Sequence, residues 1–267
     1  MQLFAAAVAS LVLPGFAATP QQPTSGQLLA GVFPGTVRPG YVYLPPGFDP
    51  ARRYPVVYLL HGLPGDPSEY VDGVQLTAFA DAGIARGMLR PFIAVIPAAG
   101  DDASYDGEWA GPWETALVDE IVPWVDANLP TIHSPAGRVV AGLSAGGFGA
   151  TDIALRNPGL FGVVESWSGY FTPLRDGPFT HAGAATLAAN DPMLLARSRA
   201  KALREEGTRF FVSTGPYHSH LFLPAQTVQF AAELRSLRTP VRLWRYPRVQ
   251  GEWRAQLDAG LDWALRP

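Results

Sequence analysis

Ser144 is the residue whose type and neighbours best suit covalent chemistry in this sequence. It lies in the run GLSAGG at residues 142–147, which fits the G-x-S-x-G nucleophile elbow, a serine held at a tight strand-to-helix turn. An apolar stretch at residues 139–143 precedes the serine, and a stretch with helical spacing follows from Ala145. The glycines two residues before and after the serine suit a turn too close for a Cβ. We therefore predict that Ser144 is a nucleophile; the alternative is an ordinary glycine-rich turn.

A second glycine-rich turn, HGLPG at residues 61–65, follows another apolar stretch. A turn at a strand end can direct a backbone N–H at an oxygen that becomes negative during acyl transfer. We predict that the backbone N–H groups of Leu63 and Ala145 form such an oxyanion hole. His61 is predicted to shape the turn rather than to act as a base. Two unrelated turns of similar sequence are the alternative.

These two turns require strands that end at the same edge of a sheet. Eight apolar or β-branched stretches are predicted to be strands: residues 28–33, 41–44, 56–60, 92–96, 139–143, 163–167, 210–213 and 241–246. Six stretches with helical spacing are predicted to be helices: residues 76–85, 113–128, 145–156, 192–206, 227–236 and 253–265. This alternation indicates an α/β fold, with a mostly parallel sheet covered by helices on both faces. We predict a single domain over residues 26–267.

Composition and charge exclude several classes of protein. The chain has 267 residues, with 20 Lys and Arg against 23 Asp and Glu, and its net charge of −3 argues against a nucleic-acid-binding protein. Hydrophobic residues make up 48% and charged residues 16%, so the chain can bury a sizeable core. The absence of Cys excludes disulfides, a thiolate nucleophile and Cys-based zinc sites. No cofactor is expected.

The N-terminus is similar to an incomplete export signal. An apolar run at residues 3–13 is followed by Gly15 and Ala17, whose small-x-small spacing suits cleavage after Ala17. No Lys or Arg precedes the run, so a start further upstream and a buried N-terminal segment are the alternatives. We predict that residues 1–25 are a signal peptide and linker and that the mature protein is secreted or extracytoplasmic. A transmembrane helix needs about 20 apolar residues, so no stable membrane insertion is expected.

Five short motifs occur in the order found in one group of enzymes: His61-Gly62-Leu63, Trp113-Glu114-Thr115, residues 142–147, Ser168-Gly169-Tyr170 and residues 253–257 (WRAQL). From about Tyr41 to the C-terminus, the chain resembles the esterases that include esterase D, feruloyl esterases and the antigen 85 mycolyltransferases. The resemblance implies an α/β-hydrolase fold and reaction of a carboxylic ester through a Ser, acid and His triad. It is specific for the fold and for Ser144, and it leaves the substrate open.

The sequence departs from this family at the other two members of the triad. The family's acid follows the strand at residues 210–213, where this chain reads TGPYHSH at residues 214–220, without a carboxylate. The family's His precedes the last helix, and the residue here is Arg248 or Gln250, depending on the alignment. Neither side chain acts as a base near neutral pH. No His occurs after His220.

Three interpretations follow. In the first, His220 accepts the proton of Ser144, with His218 as the second choice. Asp176 or Asp191 orients the imidazole. This interpretation predicts an esterase or acyltransferase that acts on a small-molecule or cell-wall ester. In the second, the triad is lost and the chain is an inactive relative that acts as a binding or cell-wall-associated protein. In the third, the two histidines bind a metal, but the sequence offers no obvious third ligand. We favour the first interpretation and predict no metal site.

Overall fold

The computed structural model of the protein describes residues 13–18, 25–100, 108–215, 224–247 and 252–267. Within these ranges, nine strands form one sheet. They are β1 (Phe16–Ala18), β2 (Gln27–Val32), β3 (Pro39–Leu44), β4 (Val56–Leu60), β5 (Ile93–Ile96), β6 (Arg138–Leu143), β7 (Val163–Trp167), β8 (Arg209–Thr214) and β9 (Val241–Arg245). All eight predicted strands are present, and β1 is an addition to them.

The sheet has the order β1-β2-β3-β5-β4-β6-β7-β8-β9. From β5 to β9 each strand is parallel to its neighbours on that side, whereas β1, β2 and β3 pair in antiparallel fashion and β3 is antiparallel to β5. The prediction of a mostly parallel sheet is confirmed. Because parallel strands end at one edge, the turns after β4 and β6 lie side by side, and those after β7, β8 and β9 follow along the same edge.

Helices cover both faces of the sheet, as predicted. The α-helices are α1 (Leu76–Ala85), α2 (Pro112–Thr115), α3 (Val122–Asn128), α4 (Ala145–Arg156), α5 (Ala184–Ala189), α6 (Pro192–Glu205), α7 (Pro224–Ser236) and α8 (Glu252–Ala264). Helices α3, α4, α6 and α7 pack their apolar side chains into the core on one face, and α1 and α8 pack into the core on the other. No helix in the described part of the chain is long and apolar enough to cross a bilayer.

The predicted helix at residues 113–128 is not α-helical throughout. A π-helical turn, Ala116–Ile121, separates α2 from α3, and the N–H of Val122 bonds to the carbonyl of Leu117, five residues earlier. Pro123 is the reason, because it has no N–H for the carbonyl four residues earlier and its ring clashes with that carbonyl. Residues 112–128 are helical throughout, so the predicted helix is present, and the π-helical turn within it is a feature that apolar spacing alone does not register.

Part of the predicted leader packs against the domain. Leu13 is buried in the core, and β1 pairs with β2. The ring of Phe16 stacks on Trp124 with centroids 5.3 Å apart. Cleavage after Ala17 would remove these contacts and divide β1, so the geometry agrees with the alternative of a buried N-terminal segment. Cleavage after Ala17 stays a prediction.

Candidate active site

Ser144 lies at a strained turn between β6 and α4. Its φ of 53° and ψ of −114° belong to a region that residues with a side chain rarely adopt. The Ser144 N–H donates to the carbonyl of Trp167 at 2.9 Å, and the Ser144 carbonyl accepts from the N–H groups of Gly147 and Phe148 at 2.9 and 3.0 Å. The side chain is partly exposed, and no described residue accepts a hydrogen bond from its hydroxyl. The turn therefore presents a hydroxyl that is free to meet a ligand.

The glycines beside Ser144 are required by close backbone contacts. A Cβ on Gly142 would lie 2.2 Å from the backbone of Gly146. A Cβ on Gly146 would lie 1.9 Å from the carbonyl oxygen of Leu60. Side chains do not tolerate such distances, so the steric argument made from the sequence is confirmed at both positions.

His61, directly after β4, fixes the second glycine-rich turn. Its ring is fully buried, Nε2 accepts the N–H of Ala99 at 3.0 Å, and Nδ1 lies 3.0 Å from the carbonyl oxygen of Gly62. With Nε2 as acceptor, the neutral ring carries its proton on Nδ1 and donates it to Gly62. Burial lowers the pKa of His61 to about 4, so the ring is neutral near neutral pH. The prediction that His61 shapes the turn is confirmed.

The bond from His61 sets the direction of the next N–H. In a planar trans peptide the C=O and N–H point in opposite directions, so anchoring the Gly62 carbonyl turns the Leu63 N–H the other way. Gly62 lies against the elbow, since a Cβ there would be 3.4 Å from the Cβ of Ser144. Ala145 begins α4 directly after the serine. The two predicted oxyanion donors thus lie on adjacent turns beside Ser144, and their role stays a prediction.

A buried hydrogen-bonded network occupies the ends of β7, β8 and β9. The Ser168 hydroxyl donates to Oε1 of Gln256 at 3.0 Å, and the Ser213 hydroxyl donates to the same oxygen at 2.7 Å. The Tyr246 hydroxyl is 2.6 Å from the Ser168 hydroxyl and must be the donor, because Ser168 has given its proton to Gln256. Ser168 is also strained, with a φ of 51°. The polar groups at this end thus bind one another.

Comparison with known proteins now identifies the family. The Esterase family model matches residues 34–264. The chain belongs to the Esterase family. The resemblance seen in the sequence is thereby confirmed at the level of the family.

Two curated relatives show the range of this family. The chain is 35% identical over 130 residues to the esterase Rv1288 of Mycobacterium tuberculosis, and 28% identical over 185 residues to the diacylglycerol acyltransferase/mycolyltransferase Ag85B of Mycolicibacterium smegmatis. The matches cover 47% and 63% of this chain, and 27% and 55% of those proteins. The chain thus spans about a quarter and about half of their lengths.

A solved structure shows the same fold as this esterase-family chain. A ferulic acid esterase superposes with a TM-score of 0.74, covering 94% of this chain and 97% of its own, at 21% identity. At that identity the likeness concerns the fold alone. The predicted α/β-hydrolase fold is confirmed.

The proton acceptor predicted for this esterase-family chain lies outside the described residues. That holds for His218 and His220, and equally for Arg248 and Gln250. All four stay predictions from sequence. Within the described ranges, no group of three or more His, Asp and Glu side chains is placed to hold a metal ion.

The two candidate acids lie in different surroundings. Asp191 caps α6, where its Oδ1 accepts the N–H of Leu194 at 3.1 Å, and burial raises its pKa. Asp176 precedes a 3-10 turn, Gly177–Phe179, and its buried Oδ1 has no hydrogen-bond partner. No described hydrogen bond connects either carboxylate to Ser144.

A carboxylate that sequence analysis did not single out lies beside the oxyanion turn. Oε2 of Glu69 accepts the N–H of Gly62 at 3.3 Å, and a Cβ on Gly65 would lie 1.9 Å from Oε1. Burial raises the pKa of Glu69. Glu69 thus holds the turn through the N–H of Gly62, whereas His61 holds it through the carbonyl of the same residue. The signal in the sequence was weak, because Glu69 belongs to a π-helical turn, Glu69–Gly73, with no motif of its own.

Aromatic residues pack beside the elbow. The ring of Phe148 stacks on Tyr170 at 5.0 Å and meets Phe179 edge-on at 6.0 Å, next to Ala145. The Tyr170 hydroxyl donates to the buried carboxylate of Glu108. These rings form an apolar wall on the Ala145 side of the nucleophile.

Proposed function

We propose that this chain is a serine esterase or acyltransferase that forms an acyl-enzyme on Ser144. The observation that carries the proposal is the strained elbow, which holds a partly exposed hydroxyl against a second turn built to direct an N–H. Strain of this kind costs about 1–3 kcal/mol and persists where the surrounding structure enforces it, which is common at functional sites. Close glycine contacts and backbone hydrogen bonds supply that enforcement here.

The proposed reaction has two halves. Ser144 Oγ attacks the carbonyl carbon of the ester, its proton passes to the base, and the oxyanion is held by the N–H groups of Leu63 and Ala145. The C–O bond to the alcohol then breaks, and the alcohol leaves with the proton from the base. Water or a second alcohol attacks the acyl-enzyme and frees Ser144. Water as acceptor makes the chain an esterase, and an alcohol makes it an acyltransferase.

His220 is the base in this proposal, with His218 as the second choice. Both follow β8 in the sequence, and this position is what favours them as the base. A carboxylate, Asp176 or Asp191, orients the imidazole and preserves the chain order Ser, Asp, His. The ester is a small molecule or part of a cell wall, and the protein acts outside the cytoplasm.

A second candidate function rests on the opposite end of the site. The family's acid position carries no carboxylate here, and the neighbouring polar side chains are joined in the network around Gln256. In this alternative the chain is an inactive relative that binds a ligand or a cell-wall component. Retention on a cell-wall column together with an unreactive Ser144 would favour it.

A fluorophosphonate probe tests the proposal directly. The wild type should be labelled, and Ser144→Ala should abolish labelling, while the control Ser236→Ala, an exposed serine on α7, should be labelled normally. Hydrolysis of short p-nitrophenyl esters should fall by about tenfold or more in His220→Ala or His218→Ala. A wild type that is folded but unlabelled would overturn the proposal. Equal rates in wild type and both histidine variants would remove the proposed base.

A further inference from the structure

A cavity of about 370 Å³ lies between the ends of β8 and β9 and the start of α7. Its walls include Thr214, Pro224, Val228, Arg245, Tyr246 and Pro247. The volume is at the lower end of the range for small-molecule sites, about 300–1,000 Å³. A small organic molecule therefore fits it.

Arg245 gives this cavity its charge. It is the last residue of β9, its side chain is exposed, and no carboxylate in the described ranges pairs with it. Among the described residues that line the cavity, none is acidic. A guanidinium is protonated at all physiological pH values and presents a planar fork that matches a carboxylate. The cavity thus offers an unneutralised positive charge.

Two other cavities lined by described residues contain an arginine that already has a carboxylate partner. The one beside α1 contains Arg254, but also Asp258, which accepts from that guanidinium at 2.9 Å. The one beside α5 contains Arg156, which is already paired with Glu114 at 3.0 Å. Arg254 and Arg156 thus have carboxylate partners, and Arg86 shares its cavity with Asp258 and Asp262, whereas the described wall around Arg245 contains no carboxylate.

The remaining walls favour an organic group over an inorganic anion. Tyr246 supplies an aromatic ring, and Pro224, Pro247 and Val228 supply apolar surface. A flat hydrocarbon or aryl group gains from contact with such surfaces. The ligand that satisfies both the charge and the apolar walls is a small carboxylic acid in its ionised form.

We propose that this cavity binds a small organic carboxylate, with Arg245 as its counter-ion. None of the described residues that line the cavity belongs to the elbow at residues 142–147, and Tyr246 in its wall bonds to Ser168, the residue after β7. Binding does not require chemistry at Ser144, so this proposal goes beyond the proposed function. Under the proposed function, hydrolysis of an ester at Ser144 releases a carboxylic acid, which belongs to the same chemical class as the proposed ligand. The cavity would then retain such a product near the sheet edge.

Isothermal titration of the full chain with benzoate tests the proposal, with benzamide as the neutral analogue. Benzoate should bind with one-to-one stoichiometry and benzamide at least about tenfold more weakly, the loss expected for one hydrogen-bonded ion pair. Arg245→Gln should weaken benzoate binding by a similar factor. The control Arg199→Gln removes one exposed positive charge from α6 and should leave the affinity unchanged.

Two further variants keep the test decisive. Val228→Phe narrows the cavity without changing its charge and should also weaken benzoate binding. Ser144→Ala should bind benzoate like the wild type, although it can no longer react with a fluorophosphonate. The proposal is overturned if benzoate gives no saturable heat, if benzamide binds equally well, or if Arg245→Gln and Arg199→Gln bind benzoate alike.

Discussion

Two ends of the candidate site are built in different ways. The nucleophile end consists of the elbow at residues 142–147, which backbone groups hold, and the turn at residues 61–65, which the buried side chains of His61 and Glu69 hold. The partner end consists of Ser168, Ser213, Tyr246 and Gln256, and side-chain hydrogen bonds hold it. The family's nucleophile motif is intact at the first end. At the second end, the acid and the His of the family have been replaced in the sequence.

This difference shows that the two ends can change independently. The hydrogen bonds given for Ser144 by the described residues all join backbone atoms, and the close contacts of the elbow are at glycines, so this geometry depends on the path of the chain. The partner end depends on which side chains project from three strand ends and one helix. A family can therefore keep its elbow while the groups that move protons are exchanged.

The largest expected effect comes from breaking the nucleophile end with Gly146→Ala. The new Cβ would lie 1.9 Å from the Leu60 carbonyl oxygen, an atom of the sheet backbone that cannot move aside. We expect the free energy of unfolding to fall by about 4 kcal/mol or more, measured by urea denaturation. The control Gly183→Ala has no neighbour within 4 Å and a φ of −72°, and should change stability by less than about 0.5 kcal/mol. A loss below about 1 kcal/mol in Gly146→Ala would show that the elbow adapts.

His61 makes the nucleophile end sensitive to acid. Its pKa is about 4 in the folded chain against 6.5 unfolded, so the unfolded state binds the proton first as the pH falls. The stability supplied by the neutral ring is complete above about pH 6.5 and is lost as the pH falls to about 4. The loss amounts to about 3 kcal/mol. Urea denaturation of wild type and His61→Asn across this range should give two curves that converge toward low pH.

A second buried group, Glu165, changes stability with pH in the opposite sense to His61, and the experiment must separate the two contributions. Burial raises the pKa of Glu165 from 4.5 in the unfolded chain to about 8 in the folded chain. Glu165 therefore lowers the free energy of unfolding as the pH rises from 4.5 to about 8. The difference between wild type and His61→Asn cancels this contribution, because both proteins contain Glu165. The control His181→Gln, at an exposed residue, should run parallel to the wild type. Curves for wild type and His61→Asn that stay parallel would contradict the proposed protonation.

Sequence predicted the nucleophile end well because its determinants are local. The elbow is six residues long, and the strand and helix beside it are continuous apolar patterns. The eight predicted strands share this property, since each is a short apolar or β-branched run that can be recognised without knowing its neighbours. The turn at residues 61–65 was recognised for the same reason.

Sequence did not predict the partner end because its contacts join distant residues. The bonds from Ser168 to Tyr246 and to Gln256 span 78 and 88 residues. No spacing rule connects such positions before the sheet order is known. The same holds for the cavity around Arg245, whose walls come from two strands and α7. Strand β1 was missed because three residues at an edge of the sheet carry too short a pattern.

A moderate loss of stability is expected when Gln256, the shared acceptor of the partner end, is replaced. Gln256→Leu keeps the volume and leaves the hydroxyls of Ser168 and Ser213 without their acceptor. An unpaired buried hydroxyl costs about 1–3 kcal/mol, and thermal denaturation should show a loss in that range. Fluorophosphonate labelling of Ser144, measured on the folded fraction, should stay within about twofold of wild type if the two ends are independent.

The smallest effect on stability is expected for Tyr246→Phe. This variant gives the finest test of whether the nucleophile end and the partner end are independent. It removes one hydroxyl that donates to Ser168, while Ser168 keeps its bond to Gln256, so stability should fall by about 1 kcal/mol. The ring that lines the cavity remains, and benzoate affinity should therefore change little. Unchanged labelling at Ser144 would place the boundary between the two ends at this hydrogen bond. A tenfold drop in labelling without loss of folded protein would instead show that the Tyr246 hydroxyl supports the nucleophile. The described path between them starts at the hydrogen bond from Tyr246 to Ser168. It continues through the neighbouring carbonyl of Trp167, which accepts the N–H of Ser144.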